Sequence, residues 1–113
     1  MAKSDTPVAT TDPVLKELVE RMVDAYHPLR IYLFGSRARE SAQPESDYDI
    51  LLIVDDDAPS KLKSAGKAYE VLWGIKVPVD VVVWTKDAFE KRLHIPASLP
   101  AQIAREGILL HVA

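Results

Sequence analysis

The central stretch of the chain, from Ile31 to Val54, reads IYLFGSRARE SAQPESDYDI LLIV. It contains two apolar runs, residues 30–34 and 48–54, that have the length and the branched or aromatic residues of buried strands. The second run is apolar at almost every position, which is typical of a central strand covered on both faces. Gly35-Ser36 closes the first run, and Asp47 and Asp49 open the second. Such residues at the strand ends do not contribute to a hydrophobic core, so they indicate a functional site.

Length and composition indicate one globular domain of 113 residues, with 48% hydrophobic and 27% charged residues. The absence of cysteine excludes a disulfide framework, a thiolate metal site and a cysteine nucleophile. No apolar run is long enough to cross a bilayer, and residues 1–11 lack the apolar segment of a signal peptide. We therefore expect a cytoplasmic protein with a flexible tail over residues 1–11 and one domain over residues 12–113. The net charge of −3 points away from nucleic acid as a partner.

Periodicity and capping residues predict the other elements. Helices are predicted over residues 13–26, 61–73, 85–93 and 100–106, one or two helical turns over residues 36–41, and further strands over residues 76–84 and 108–112. Tyr69 and Trp73 are expected on the inner face of the second helix. Pro78 indicates that the third strand is an edge strand or enters the sheet late, because proline cannot donate a ladder hydrogen bond.

The order of these elements predicts an α/β or α+β sandwich with a mixed sheet. The second strand, the second helix and the third strand form a β-α-β crossover, so these two strands should be parallel. The first and second strands are joined by about a dozen residues, which is short for a crossover and leaves both a parallel and an antiparallel pairing open. An antiparallel pairing brings Gly35 and Ser36 to the edge of the sheet that also holds Asp47, Asp49 and Asp80.

Three carboxylates at one edge of the sheet require a physical reason. Two like charges about 4 Å apart repel by roughly 4 kcal/mol at an effective dielectric constant near 20. Hard divalent cations relieve that repulsion, and Mg²⁺ binds one or two carboxylates together with substrate phosphates. A Gly-Ser turn adds backbone N–H donors for phosphate oxygens. The combination indicates phosphoryl or nucleotidyl transfer with Mg²⁺ bound by Asp47, Asp49 and Asp80.

Other acidic residues and the histidines are interpreted as structural. Asp55 lies about 20 Å along an extended strand from Asp49, so the run Asp55–Asp57 is expected to be a turn. Asp87 lies too far from Asp80 for the same reason. The three histidines are scattered and have no metal-ligand spacing.

The combined motif resembles that of a known family. LFGSRAR at residues 33–39 is followed by DYDIL at residues 47–51, with ten residues between Ser36 and Asp47. This pattern is similar to the Gly-Ser-x10-Asp-x-Asp signature of the minimal nucleotidyltransferases, within the DNA polymerase β-like superfamily. The sequence VDVV at residues 79–82 resembles the third-carboxylate strand of that family, and the resemblance extends over residues 15–110.

The resemblance implies a role for each residue of the motif. Asp47 and Asp49 would bind two Mg²⁺ ions, and Asp80 would complete one site and favour deprotonation of the acceptor hydroxyl. Gly35 and Ser36 would hold the β- and γ-phosphates of ATP. Arg37 is a candidate for the triphosphate oxygens, with a surface arginine as the alternative, and the surface role is favoured for Arg39. Glu40 stands where family members usually carry glycine.

The same resemblance implies a partner protein. Minimal nucleotidyltransferases are paired with small helical HEPN toxins and act as antitoxins by transferring AMP to a toxin tyrosine. Because 113 residues leave no room for the acceptor domain of larger relatives, we expect the acceptor site to come from a partner or a second copy. Residues 85–113 are the candidate docking surface. Two alternatives remain: an antitoxin that only masks its partner, and transfer to a small molecule.

Overall fold

Four strands form one mixed sheet in the computed structural model, which describes residues 12–39 and 47–113. The strands are β1 (Arg30–Phe34), β2 (Tyr48–Val54), β3 (Val79–Thr85) and β4 (Ile108–Val112), in the order β3-β2-β1-β4. β2 is parallel to β3, and β1 is antiparallel to both β2 and β4. The predicted crossover is therefore confirmed, and the pairing of β1 with β2, left open by the sequence, is antiparallel.

Four helices pack on this sheet within the described residues. They are α1 (Pro13–Tyr26), α2 (Gly66–Val71), α3 (Lys86–Lys91) and α4 (Leu99–Glu106), and a single 3₁₀ turn covers Ser60–Leu62. Asp12, Thr85 and Ser98 cap α1, α3 and α4 through side-chain oxygens that accept backbone N–H bonds. None of the described helices is both long and apolar enough to span a membrane.

The sheet separates two apolar clusters of unequal size. The larger cluster packs α1 and α2 against one face, and the smaller packs Phe89 of α3 and Ile103 of α4 against the other. β2 contributes Ile50 and Leu52 to the larger cluster and Leu51 and Ile53 to the smaller, which confirms a central strand covered on both faces. Because side chains alternate along a strand, Asp47 and Asp49 share the face of the smaller cluster.

The second helix differs from the prediction. It begins at Gly66 and ends at Val71, and its buried side chain is Ala68. Tyr69 is 50% exposed and Trp73 is 86% exposed, so placing them on the inner face was wrong. The 3₁₀ turn and a bend precede α2, and this break shifts the helical phase that one continuous helix over residues 61–73 would have. The Tyr69 hydroxyl instead accepts a hydrogen bond from the Val81 N–H at 3.2 Å, at the outer edge of β3.

Two smaller predictions have different outcomes. Residues 35–39 form consecutive turns closed by N–H bonds from Ala38 to Gly35 and from Arg39 to Ser36, and no helix begins among them. The rest of the predicted turns, residues 40 and 41, lies outside the described residues, as do the tail over residues 1–11, Glu40 and Ser46. The late entry of the third strand is confirmed, because β3 begins immediately after Pro78.

Candidate active site

One end of the sheet brings the predicted site residues together. Asp49 of β2 pairs with Asp80 of β3 on one side and with Phe34 of β1 on the other. Gly35 follows Phe34 directly, and Asp47 precedes Asp49 by two residues on the same face. Three strands thus deliver the Gly-Ser turn and the three aspartates to one rim of the sheet, as the topology predicted.

Gly35 is in direct contact with the central carboxylate. Its φ of +76° lies in the left-handed region that favours glycine. A Cβ at this position would overlap Oδ2 of Asp49 and lie 3.0 Å from Cγ of Asp49. Any other residue at position 35 would therefore strain the backbone and displace the aspartate. The glycine lets the turn and the carboxylate approach each other.

Asp49 is a carboxylate whose ionisation is disfavoured by its surroundings. Partial burial raises its pKa, and the charges of Asp80 and Asp47 raise it further. The guanidinium of Arg39 acts in the opposite direction. The effect of Asp80 and Asp47 on Asp49 indicates that the three acidic groups lie close enough to repel one another. A cation at this rim would relieve that repulsion.

The donor chemistry of the rim fits Mg²⁺ together with a phosphate ligand. Carboxylate oxygens are the ligands that this ion prefers, and it commonly takes one or two of them plus substrate phosphates. Within residues 12–39 and 47–113, no three acidic or histidine side chains form a ready-made metal centre. The three aspartates offer oxygen ligands of the type that Mg²⁺ prefers, and a complete site would need further ligands.

The two arginines of the turn lie on different sides of the sheet. The Arg37 guanidinium carbon is 3.9 Å from the ring centroid of Tyr48, a side chain of the larger cluster. Arg39 acts on Asp49 and lies 3.9 Å from the Glu106 carboxylate of α4. From the sequence, Arg37 was the stronger candidate and Arg39 a surface residue. The geometry places Arg39 on the face of the carboxylates, with an electrostatic effect on Asp49.

Tyr48 and Asp12 are site components that sequence reasoning missed. Tyr48 stands between Asp47 and Asp49, is 5% exposed, and donates its hydroxyl to Oδ2 of Asp12 at 2.7 Å. The other oxygen of Asp12 accepts the first free N–H groups of α1. Burial and the Asp12 carboxylate raise the pKa of Tyr48 to about 12, so the hydroxyl stays a donor at physiological pH. An aromatic residue between two aspartates was the available signal.

A cavity of about 150 Å³ adjoins the rim on the carboxylate face. It lies between α4 and the turn of Gly35, and Phe34, Ile103 and Gly107 line it. The sequence did not predict it, because α4 and β1 are far apart along the chain. By contrast, Asp55–Asp57 form an exposed turn at the opposite end of β2, as predicted, where Oδ1 of Asp56 accepts the N–H of Asp87.

A mixed sheet that presents a Gly-Ser turn against strand-borne aspartates defines a nucleotidyltransferase domain. The family described as "Nucleotidyltransferase domain" matches residues 15–110, and the chain belongs to this family. Membership of the nucleotidyltransferases, predicted from the Gly-Ser-x10-Asp-x-Asp motif, is thus confirmed. Nucleotidyltransferases in general use a nucleoside triphosphate and a divalent metal.

Solved structures share the fold at low sequence identity. A protein from Sulfolobus solfataricus assigned as a nucleotidyltransferase is 23% identical, with a TM-score of 0.55, and the match covers 85% of this chain and 75% of that one. A toxin–antitoxin structure with AMP-PNP is 20% identical, with a TM-score of 0.57, covering 87% and 73%. A variant of the toxin–antitoxin MntA-HpeT is 17% identical, with a TM-score of 0.57 and the same coverage. A comparison with curated proteins finds no significant match.

Proposed function

We propose that this protein transfers AMP from ATP to a hydroxyl group, a tyrosine, on a HEPN-type toxin and thereby acts as an antitoxin. The observation that carries the proposal is the contact between the Gly35 turn and Asp49, with Asp80 beside Asp49 in the register of the sheet. In support of the proposal, the turn that would bind phosphate lies directly against the carboxylate of Asp49. Two of the similar folds come from toxin–antitoxin structures, one with AMP-PNP, which supports the choice of donor and partner.

Each residue of the rim has a role in this reaction. Asp47, Asp49 and Asp80 would hold Mg²⁺, and the bound ion supplies positive charge to the phosphates and to the acceptor oxygen. The backbone of Gly35 and Ser36 would bind the β- and γ-phosphates. Asp80, in β3 at the far side of Asp49 from Gly35, would accept the proton of the acceptor hydroxyl as its oxygen bonds to the α-phosphorus and the bond from that phosphorus to the bridging oxygen of the β-phosphate breaks. Pyrophosphate then leaves toward the Gly-Ser turn, where Arg39 faces the carboxylates.

The acceptor would approach from the face of the smaller cluster, which the carboxylates share. Residues 92–98 join α3 and α4 on that face and expose two apolar side chains, Leu93 at 38% and Ile95 at 44%. Exposed apolar side chains on the face that carries the carboxylates are candidates for a protein interface. This loop therefore forms part of the proposed docking surface within residues 85–113.

A second function, masking of the toxin without catalysis, is favoured by one observation. Glu40 replaces the glycine usual in the family close to the turn that would bind phosphate. The free-energy cost of clustering three aspartates at the rim argues against a function in masking alone. Burial and then the neighbouring aspartates raise the pKa of Asp49, so its ionisation at neutral pH opposes folding. A protein that only masks a partner has no physical need for that arrangement.

The experiment that separates these functions incubates the protein with labelled ATP, Mg²⁺ and the protein encoded next to it. Wild type is expected to label a tyrosine of the partner, and Asp47→Asn is expected to label it at least about a hundredfold more slowly, because metal binding is lost. Asp57→Asn is the matched control, since it removes the same charge from the exposed turn at the other end of β2.

Label that requires Asp47 and not Asp57 supports nucleotidyl transfer. Neutralisation of the toxin by wild type and by Asp47→Asn alike, with no label on either sample, contradicts transfer and supports masking. Label on a small molecule with none on the partner supports the alternative in which AMP is transferred to a small molecule.

A further inference from the structure

Tyr48 joins the segments that build the catalytic rim. Its ring lies under the guanidinium of Arg37, from the turn that begins at Gly35. Its hydroxyl donates to Asp12 at the start of α1, and its backbone N–H donates to Pro78 at 3.0 Å, two residues before Asp80. Its own neighbours in sequence are Asp47 and Asp49. One buried side chain thus contacts the turn and α1 while its backbone contacts the entry to β3.

These contacts constrain where the two flanking aspartates can lie. Successive Cα atoms are about 3.8 Å apart, so a shift of Tyr48 moves Asp47 and Asp49 almost equally. The ring is buried in the larger cluster, and the hydrogen bond from its hydroxyl to Asp12 restricts the side-chain conformation of Tyr48. Because side chains alternate, anchoring Tyr48 on one face holds both aspartates on the other.

The contact with Arg37 adds a constraint on the phosphate-binding turn. A guanidinium over an aromatic face is attracted by the ring and stacks on it in a defined plane. The stack therefore fixes the direction of Arg37, which follows β1, relative to Asp47 and Asp49 at the start of the neighbouring strand β2. The turn also meets the aspartates where Gly35 contacts Asp49 and where the charge of Arg39 acts on Asp49.

We propose that Tyr48 is a positioning residue: through its ring contact with Arg37 it sets the spacing between the Gly35–Ser36 turn and the two aspartates, and so the affinity for Mg-ATP. The proposal rests on the proposed function in assuming that this rim binds Mg-ATP. Tyr48 touches no substrate in this mechanism. Its effect reaches the nucleotide through Arg37 and through the backbone of Asp47 and Asp49.

The test compares Tyr48→Leu and Tyr48→Phe by calorimetric titration with Mg-ATP. Tyr48→Leu removes the ring under Arg37 and is expected to weaken binding about tenfold. Tyr48→Phe keeps the ring and loses the bond to Asp12, so it is expected to bind Mg-ATP within about twofold of wild type while melting at a lower temperature. If Tyr48→Leu does not fold, Arg37→Ala removes the same ring contact and is expected to weaken Mg-ATP binding about tenfold, and an affinity within about twofold of wild type would overturn the proposal.

Tyr26→Leu is the matched control for loss of a buried tyrosine. Tyr26 is 2% exposed, donates its hydroxyl to Ser64 and accepts the N–H of Ala68, far from the rim. It is expected to lower the melting temperature and leave Mg-ATP affinity unchanged. Equal affinities in Tyr48→Leu and Tyr26→Leu would overturn the proposal, and so would a loss of affinity in Tyr48→Phe as large as in Tyr48→Leu.

A double-mutant cycle with Arg37→Ala tests the route of the effect. If Tyr48 acts through Arg37, Tyr48→Leu adds less than about twofold in the Arg37→Ala background. Fully additive effects contradict the proposal. Because the titration measures binding and not transfer, a wild type that binds Mg-ATP yet labels no partner contradicts the proposed function alone.

Discussion

Gly35 is the residue at which the fold and the candidate site constrain each other most closely. Gly35→Ala is expected to destabilise the protein more than Gly74→Ala, although both glycines have positive φ, +76° and +93°. A left-handed alanine costs about 1–2 kcal/mol at either position. Only at Gly35 does the new Cβ also overlap Asp49, whereas nothing lies within 4 Å of it at Gly74. Urea denaturation of the two variants measures how much the overlap with Asp49 lowers the free energy of unfolding. Equal decreases in Gly35→Ala and Gly74→Ala would contradict this prediction.

Asp49 gives a pH dependence of opposite sign to that of an ordinary paired carboxylate. Its pKa is raised in the folded state, so its contribution to stability is complete below the unfolded value near 3.8 and is lost as the pH rises through the folded pKa. Asp49→Asn is therefore expected to be more stable than wild type at pH 7. This advantage should shrink as the pH falls toward 4.

Thermal melts of both proteins between pH 4 and pH 7 measure this difference. Asp57→Asn serves as the control for general loss of one negative charge. Mg²⁺ should raise the melting temperature of wild type and leave that of Asp49→Asn nearly unchanged, since binding to the folded state stabilises it. A less stable Asp49→Asn at pH 7 would contradict this interpretation.

At the scale of elements, α3 and α4 depend on few buried side chains. Phe89 of α3 is 1% exposed and stacks on Tyr32 of β1, with ring centroids 6.1 Å apart. Phe89→Ala is expected to cost about 3–5 kcal/mol, the usual range for a buried phenylalanine. Val19→Ala, in α1 against the larger cluster, should cost less because Val19 is only partly buried.

Amide hydrogen exchange shows which elements are destabilised by Phe89→Ala. Amides of α3 and α4 should exchange faster in Phe89→Ala than in wild type, while β1 and β2 change in proportion to global stability alone. Uniform acceleration across the sheet and both helices would show that the smaller cluster does not open separately.

Elements with a strong local signal were predictable from sequence. The cap Asp12-Pro13 and the apolar period fixed α1 as Pro13–Tyr26, and the apolar run fixed β2 as Tyr48–Val54. The second helix was not, because its local period continues through the bend before Gly66. The rim was predictable because Asp47, Asp49 and Asp80 follow from topology. The contacts of Tyr48 with Asp12 and Arg37 were not, since they depend on how α1 packs against the sheet.

At the scale of the whole molecule, the two faces of the sheet have different tasks. The larger cluster stabilises the fold, and the other face carries the carboxylates and the exposed Leu93 and Ile95. Leu93→Asp with Ile95→Asp is expected to slow transfer to the partner at least about tenfold by weakening docking, with Mg-ATP affinity unchanged. Trp73→Asp, on an even more exposed apolar residue after α2, is the control.

Labelling rates at several partner concentrations separate docking from chemistry. The double variant should require more partner for half-maximal rate and reach a similar maximum. A larger effect of Trp73→Asp than of the double variant would move the docking surface to the opposite side of the sheet.

The hydrogen bond between the Tyr69 hydroxyl and the Val81 N–H affects whether molecules can pair through the edge of the sheet in concentrated solution. β3 is an edge strand, and an edge strand is the usual starting point for pairing between copies and for fibrous aggregation. The N–H of Val81, in the middle of that edge, is already bonded to Tyr69. An incoming strand must first displace a bulky aromatic side chain, so the sheet is protected against the addition of a fifth strand, from another molecule, next to β3.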